Sequence, residues 1–133
     1  MKNKDILDIL FAIAEYFTVF NEPFKARAYE KVAETLSSFD GDVRGIYKNG
    51  GTKALEEISG IGKGIAQTIE EFLKTGRVRE LDAMRKKMPV NMQELRSIEG
   101  IGPKAIKTLY EKLKVKDVAS LKRAALAGKI RKL

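Results

Sequence analysis

The sequence predicts an all-α protein. Apolar residues recur at three- and four-residue spacing along most of the chain, and no run sustains the apolar–polar alternation of a strand. Turn-forming clusters such as Asn21-Glu22-Pro23 and Asn49-Gly50-Gly51 separate the periodic stretches. At 133 residues the chain has room for one medium domain or two small helical ones.

Ile6, Leu10, Ile13, Phe17 and Phe20, flanked by Leu7, Phe11 and Ala14, give the first helix a broad buried stripe, and Asn3 is its expected cap. Pro23 suits the first turn of a second helix that runs to about Leu36. Phe39-Asp40-Gly41 breaks the chain, and the aspartates of Asp40-Gly41-Asp42 suit the capping of the next helix. That short helix is expected near Val43–Tyr47, then another, capped by Thr52, through Ile58. A helix after Lys63 continues to Lys74 and stops at Gly76. Val78–Lys87 reads as helix, and Met88-Pro89-Val90-Asn91 as the boundary between two units, 1–85 and 86–133. Met92–Ile98, Pro103–Leu113 and a last helix capped by Asp117 and ended by Gly128 complete the chain.

One pattern occurs twice. ISGIGKGIAQTIEEFL (58–73) returns as IEGIGPKAIKTLYEKL (98–113), and the register of forty pairs Ile58 with Ile98, Ile61 with Ile101, Ala66 with Ile106, Ile69 with Leu109 and Leu73 with Leu113. Each copy is helix, glycine turn, helix. Two copies are too few for a solenoid, so the repeat reads as one supersecondary unit used twice.

Composition narrows the chemistry. The chain has no cysteine and no histidine, which removes disulfides, thiolate sites, the commonest general base and the commonest zinc ligand. The longest apolar runs, such as Ile9–Ala14, are far below the roughly 18–20 residues of a membrane span, and the N-terminus lacks the features of a signal peptide; a cytoplasmic setting is expected. Residues 1–85 carry 13 Lys and Arg against 14 Asp and Glu, net −1, whereas residues 86–133 carry 13 against 4, net +9. Nine of the ten aromatic residues precede residue 73. The first half thus reads as a packed core and the second as a surface facing a polyanion.

The glycine turns do not read as nucleotide loops. A P-loop needs a strand and a Ser or Thr after its lysine, but Gly64 follows Lys63 and the preceding element is helical. A dinucleotide fingerprint needs a βαβ unit. A turn whose glycines permit close approach, opening a helix with free N–H groups and a positive dipole end, instead suits a nucleic-acid phosphate held without reading a base. Ile61 and Ile101 are expected to plug inward. Tight corners with no ligand are the structural alternative, weakened by the second copy and by the basic charge. Lys104 and Lys107 lie in the first turns after the second glycine turn and are expected to touch phosphate. Arg85-Lys86-Lys87 and Lys112, Lys114 and Lys116 fit either phosphate contacts or solvated helix faces.

The turns are those of a helix-hairpin-helix motif, and their setting resembles the N-terminal region of family X DNA polymerases, above all the bacterial and archaeal PolX type. FKARAYEKVAETL is similar to the second helix of the family's small lyase-type domain, ISGIGKGIAQTIEEFLKTGRVREL to its first hairpin and the helix after it, and LRSIEGIGPKAIKTLYEK to the second hairpin in the fingers subdomain. The resemblance implies a DNA polymerase beta-like N-terminal domain followed by part of the fingers, an N-terminal piece of a longer repair polymerase. It implies phosphate binding by the main chain at Gly60, Gly62 and Gly64 and at Gly100, Gly102, Lys104 and Ala105. A monovalent cation, Na+ or K+, is implied in each hairpin on the main-chain carbonyls of Glu56, Ile58 and Ile61, and of Arg96, Ile98 and Ile101; neutral carbonyl oxygens suit such a hard ion. Lys25 and Tyr29, on one helix face, match two residues of the family's 5′-phosphate pocket, with Lys63 adding charge.

One departure weighs against enzymatic activity. The family's lyase nucleophile is a lysine that forms a Schiff base, and Thr68 stands at that position. Lys31 and Lys63 are the candidate substitutes. The magnesium-binding carboxylates of polymerisation belong to a domain outside this chain, and Asp40-Gly41-Asp42 reads as a turn, not a metal site. The expected partner is gapped or primed DNA, bound by a monomer. A lyase domain using another lysine, a hairpin region of a helicase, nuclease or ligase, and an interaction module without DNA binding are the competing readings.

Overall fold

The computed structural model describes residues 3–130, which form eight helices and, among the described residues, no strand: α1 (Lys4–Val19), α2 (Pro23–Ser37), α3 (Val43–Glu56), α4 (Lys63–Thr75), α5 (Arg79–Lys87), α6 (Met92–Arg96), α7 (Pro103–Leu113) and α8 (Val118–Leu126). The all-α expectation holds. None of these helices is long and apolar enough to cross a membrane.

α1 is the centre of the packing. Ile6, Leu7, Leu10, Ile13, Ala14, Tyr16, Phe17 and Val19 are buried, a stripe too wide for one neighbour. One side lies along α2, and others meet α5 and α7. The buried apolar residues of all eight helices therefore form one connected cluster, from Ile6 through Ile69 and Leu81 to Ile106. Polar ties reinforce the join: the Tyr16 hydroxyl donates to the Met88 carbonyl at 2.9 Å, and Arg96 pairs with Glu15 at 2.8 Å. α3 packs on α4, and α6 on α7, so each glycine turn is framed by its own helix pair.

The helix ends correct two expectations. Asn3 occupies the cap position of α1 but makes no side-chain bond there. Its amide instead donates to the Gly41 carbonyl at 3.0 Å and accepts from the Val43 N–H at 3.2 Å. It thus caps α3 from forty residues away, and Asp42, at the cap position of α3, makes no side-chain cap bond; the expected aspartate cap is supplied by the buried Asn3. The two short helices expected between residues 43 and 58 are present as the two parts of α3, which is broken at Gly51 (φ 66°, ψ −157°), immediately before Thr52. Elsewhere the endings match expectation: Pro23 opens α2, Gly76 (φ 74°) closes α4 with its N–H on the Phe72 carbonyl, and Asp117 caps α8 in a reciprocal box with Ser120.

Candidate functional site

The two glycine turns are built alike. After α3, Ile58 N–H bonds the Leu55 carbonyl at 3.0 Å, tightening the last turn, and Ile61 N–H returns to the Ile58 carbonyl at 3.0 Å. Gly60, between them, has φ 88°. After α6, Ile98 N–H bonds Leu95 and Ile101 N–H bonds Ile98, both at 3.2 Å, around Gly100 with φ 87°. Each turn then passes through an extended glycine, Gly62 (φ −91°, ψ −173°) or Gly102 (φ −109°, ψ −175°), whose carbonyl accepts the first bond of the next helix, from Ala66 or Ile106 at 3.0 Å.

Two different reasons make these positions glycine. Gly60 and Gly100 occupy the left-handed region, which side chains rarely adopt. Gly62 and Gly102 do not, and a Cβ on either would meet no atom within 4 Å. Nothing inside the protein calls for glycine there; what the missing Cβ leaves free is the outer surface of the turn. At that surface the first N–H groups of α4 (Gly62, Lys63, Gly64) and of α7 (Gly102, Lys104, Ala105) have no partner within the helix. Neither helix has a side-chain cap or an acidic residue in its first turn. The positive end of each dipole is thus left uncompensated. Lys63, Gly64 and Lys104 are exposed, and Lys107, half-buried, lies 3.9 Å from Glu111.

The inward residues differ between copies. Ile61 is only 4% exposed, as expected. Ile101 is half-buried, packed against the core cluster and also lining an apolar groove beside α7 and α8.

Lys25 and Tyr29 come together on one ring. The Tyr29 ring packs against Phe17 at 5.6 Å between centroids, and the Lys25 ammonium stands 5.5 Å from the Phe17 centroid. The Tyr29 hydroxyl lies 2.7 Å from Thr68 Oγ1, and Thr68 donates to the Gly64 carbonyl at 3.1 Å. With the threonine proton committed to Gly64, Tyr29 donates to Thr68. Burial raises the Tyr29 phenol above its ordinary value, Thr68 offsets part of the rise and Glu80 adds to it, so Tyr29 acts as a neutral donor. The sequence paired Lys25 with Tyr29 and marked Thr68 apart from them; the Phe17 plate and the Tyr29–Thr68–Gly64 chain that ties α2 to the first turn of α4 were not legible, because they depend on how α1 and α4 lie relative to α2.

The carbonyls expected to hold a cation fall into two kinds. Those of Ile58 and Ile98 each accept the turn bond, while those of Glu56, Ile61, Arg96 and Ile101 accept none of the turn bonds. A carbonyl has two lone pairs, so all six oxygens keep acceptor capacity. Among the described residues no group of three or more acidic side chains could hold a metal ion, and Asp40 and Asp42 belong to the turn before α3.

Comparison with known proteins agrees with this geometry. Residues 1–78 match the helix-hairpin-helix domain family, and residues 92–132 match the SAM-like helix-hairpin-helix tandem. The Bacillus subtilis (strain 168) protein named DNA polymerase/3'-5' exonuclease PolX is 33% identical over 134 aligned residues, which include the whole of this chain and 22% of that protein. The aligned part is its N-terminal region, so the expected similarity to PolX is found, and the chain spans about a fifth of the length of this relative. With one match covering residues 1–78 and a second beginning at residue 92, on two turns of the same geometry, the chain belongs to the helix-hairpin-helix domain family.

Proposed function

We propose that the chain is a DNA-backbone clamp, which holds duplex DNA at two points without reading its sequence and serves a polymerase of the PolX kind. The observation that carries this reading is the pair of turns with matching φ values at Gly60 and Gly100, each opening a helix with uncapped N–H groups beside a glycine that the fold does not require. Each turn offers backbone donors to one phosphate. Backbone donors in that arrangement cannot distinguish bases, so affinity is independent of sequence. Lys104 and Lys107 add charge at the second turn, within the half of the chain that carries net +9.

Gapped or primed DNA is the preferred form in this reading, with a 5′-phosphate taken near Lys25, Tyr29 and Lys63. Sodium or potassium, held by the carbonyls of Glu56, Ile58 and Ile61 and of Arg96, Ile98 and Ile101, would supply a positive charge toward the same phosphates. The chain acts as a monomer and performs no lyase step, because Thr68 has no amine to form an imine.

The test is a titration of fluorescent duplexes that are intact, nicked, or gapped with and without a 5′-phosphate. The phosphorylated gap is expected to bind tightest, and log K to fall with log salt with a slope of about −3 to −5, as release of several counterions requires. Equal affinity for all four duplexes would remove the gap preference, and no binding at low salt would leave an interaction module. Borohydride treatment on an abasic substrate should give no covalent adduct; an adduct would establish a substitute lysine.

A further inference from the structure

Three consecutive residues of α1 carry the attachments of both hairpins. Glu15 pairs with Arg96, the last residue of α6, at 2.8 Å. Tyr16, buried, donates to the Met88 carbonyl at 2.9 Å. Phe17 packs on the Tyr29 ring, and Tyr29 continues through Thr68 to the Gly64 carbonyl in the first turn of α4. The segment that joins the two hairpins, residues 88–91, is itself fixed from both sides. The Met88 carbonyl also accepts the Val90 N–H at 2.9 Å, and the Asn91 N–H donates to the Lys116 carbonyl, between α7 and α8, at 2.6 Å. The Asn91 side chain accepts from the Glu94 N–H and donates to the Glu94 carboxylate, both at 3.0 Å. The other oxygen of that carboxylate accepts the Val118 N–H, at the start of α8, at 2.8 Å. Met88 and Met92 are buried. Buried side chains and internal bonds of this kind are the opposite of what a mobile linker shows.

We propose that Glu15, Tyr16 and Phe17 form a rigid bridge that holds the two glycine turns at one span, so that the chain selects DNA by the distance between two backbone phosphates. The inference rests on the clamp reading, in which each turn takes one phosphate. Two grips on a stiff bridge act as a bivalent binder: affinity is greatest where both phosphates lie at the bridge's span and is lost where the geometry forbids simultaneous engagement. A gap joins two duplex arms by a flexible single strand, and its length sets which phosphates come within reach of both turns. The bridge therefore specifies a gap of one length, a selection that the turns cannot make alone because they are built alike. Glu15, Tyr16 and Phe17 are positioning residues, acting through α6, the Met88 carbonyl and α2.

The chain has no cysteine, which allows a pair of spin labels at Gln67→Cys on α4 and Thr108→Cys on α7, both exposed. Double electron–electron resonance measures the distance between them in the protein alone and on duplexes with gaps of zero to about six nucleotides, and titration gives the affinity for the same duplexes. The expected result is one narrow distance in every sample, and one best gap length with affinity about ten-fold lower within about three nucleotides of it. A broad distribution, a distance that follows gap length, or equal affinity for all gaps would overturn the proposal. In the Glu15→Gln, Tyr16→Phe, Met92→Ala variant the distance should broaden and the affinities should come within about three-fold of one another. Its salt dependence, which counts the phosphates engaged, should stay that of the parent. A gap profile as sharp as the parent's would overturn the proposal; should this variant lose its helices, two glycines inserted between Val90 and Asn91 are tested by the same criterion. Failure of the clamp reading is distinct: no duplex binds at low salt, or Gly62→Ala and Gly102→Ala leave affinity unchanged, and the bridge falls with it. If those alanines weaken binding while the gap profile is flat, the clamp stands and the bridge alone is overturned.

Discussion

Gly60 and Gly62 stand two positions apart and separate folding from binding. Alanine at Gly60 or Gly100 must adopt φ near 88°, which costs about 1–2 kcal/mol and should lower the melting temperature by several degrees. Alanine at Gly62 or Gly102 meets neither strain nor a neighbour, so the melting temperature should hardly move. Its methyl group would stand where a phosphate is proposed to approach, and affinity for DNA should fall at least ten-fold. Thermal melts and DNA titrations on the four variants check this; unchanged affinity in both Gly62→Ala and Gly102→Ala would end the clamp reading. At this scale much of the site was legible, since two glycines, an isoleucine between them and a helix behind them are written in the sequence. The half-burial of Ile101 was not, because it depends on what lies across the hairpin, which the residues of the turn do not encode.

Among the elements, α8 is secured by a reciprocal capping box of its own. Asp117 accepts from the Ser120 N–H at 2.8 Å, and Ser120 Oγ accepts from the Asp117 N–H at 3.2 Å. The Ser120 backbone and side-chain bonds hold the Asp117 carboxyl below its ordinary value of 3.8. A carboxyl lowered on folding stabilises the folded state above its unfolded value, and that contribution fades as pH falls through the folded one. Amide exchange in α8 should therefore be constant from neutral pH to about pH 4 and accelerate below it, after correction for intrinsic exchange. Asp117→Ala should already exchange faster at neutral pH and lose that acid dependence. Local caps of this kind were readable from spacing alone. The cap of α3 was not, since Asn3 reaches it across forty residues and sequence proximity favoured Asp42.

Across the whole molecule, buried tyrosines set an alkaline limit. Tyr16 and Tyr29 are both raised above the ordinary phenol value of 10, chiefly by burial, with Glu15 also raising Tyr16 and Arg85 opposing it. For a group whose pKa is raised on folding, its stabilising effect is complete below the unfolded value and is lost as pH climbs through the folded one. Denaturant midpoints should hence be flat to about pH 9.5 and decline above it, and a Tyr16→Phe, Tyr29→Phe variant should decline less steeply. At neutral pH each substitution should cost about 1 kcal/mol for its hydrogen bond. The fold class was legible at this scale because helical spacing and breakers agree along the chain. The placement of α1 between both hairpins was not: its wide apolar stripe implied several neighbours without saying which.

That placement also governs how the molecule can come into being. α1 is synthesised long before the helices that complete its surface, and Glu15 meets Arg96 across a sequence separation of 81. Until then a nascent α1 must hold an oily flank in water. Neither grip can mature ahead of the other's scaffold, and melting should proceed as one concerted transition, with damage to α1 felt at both turns at once.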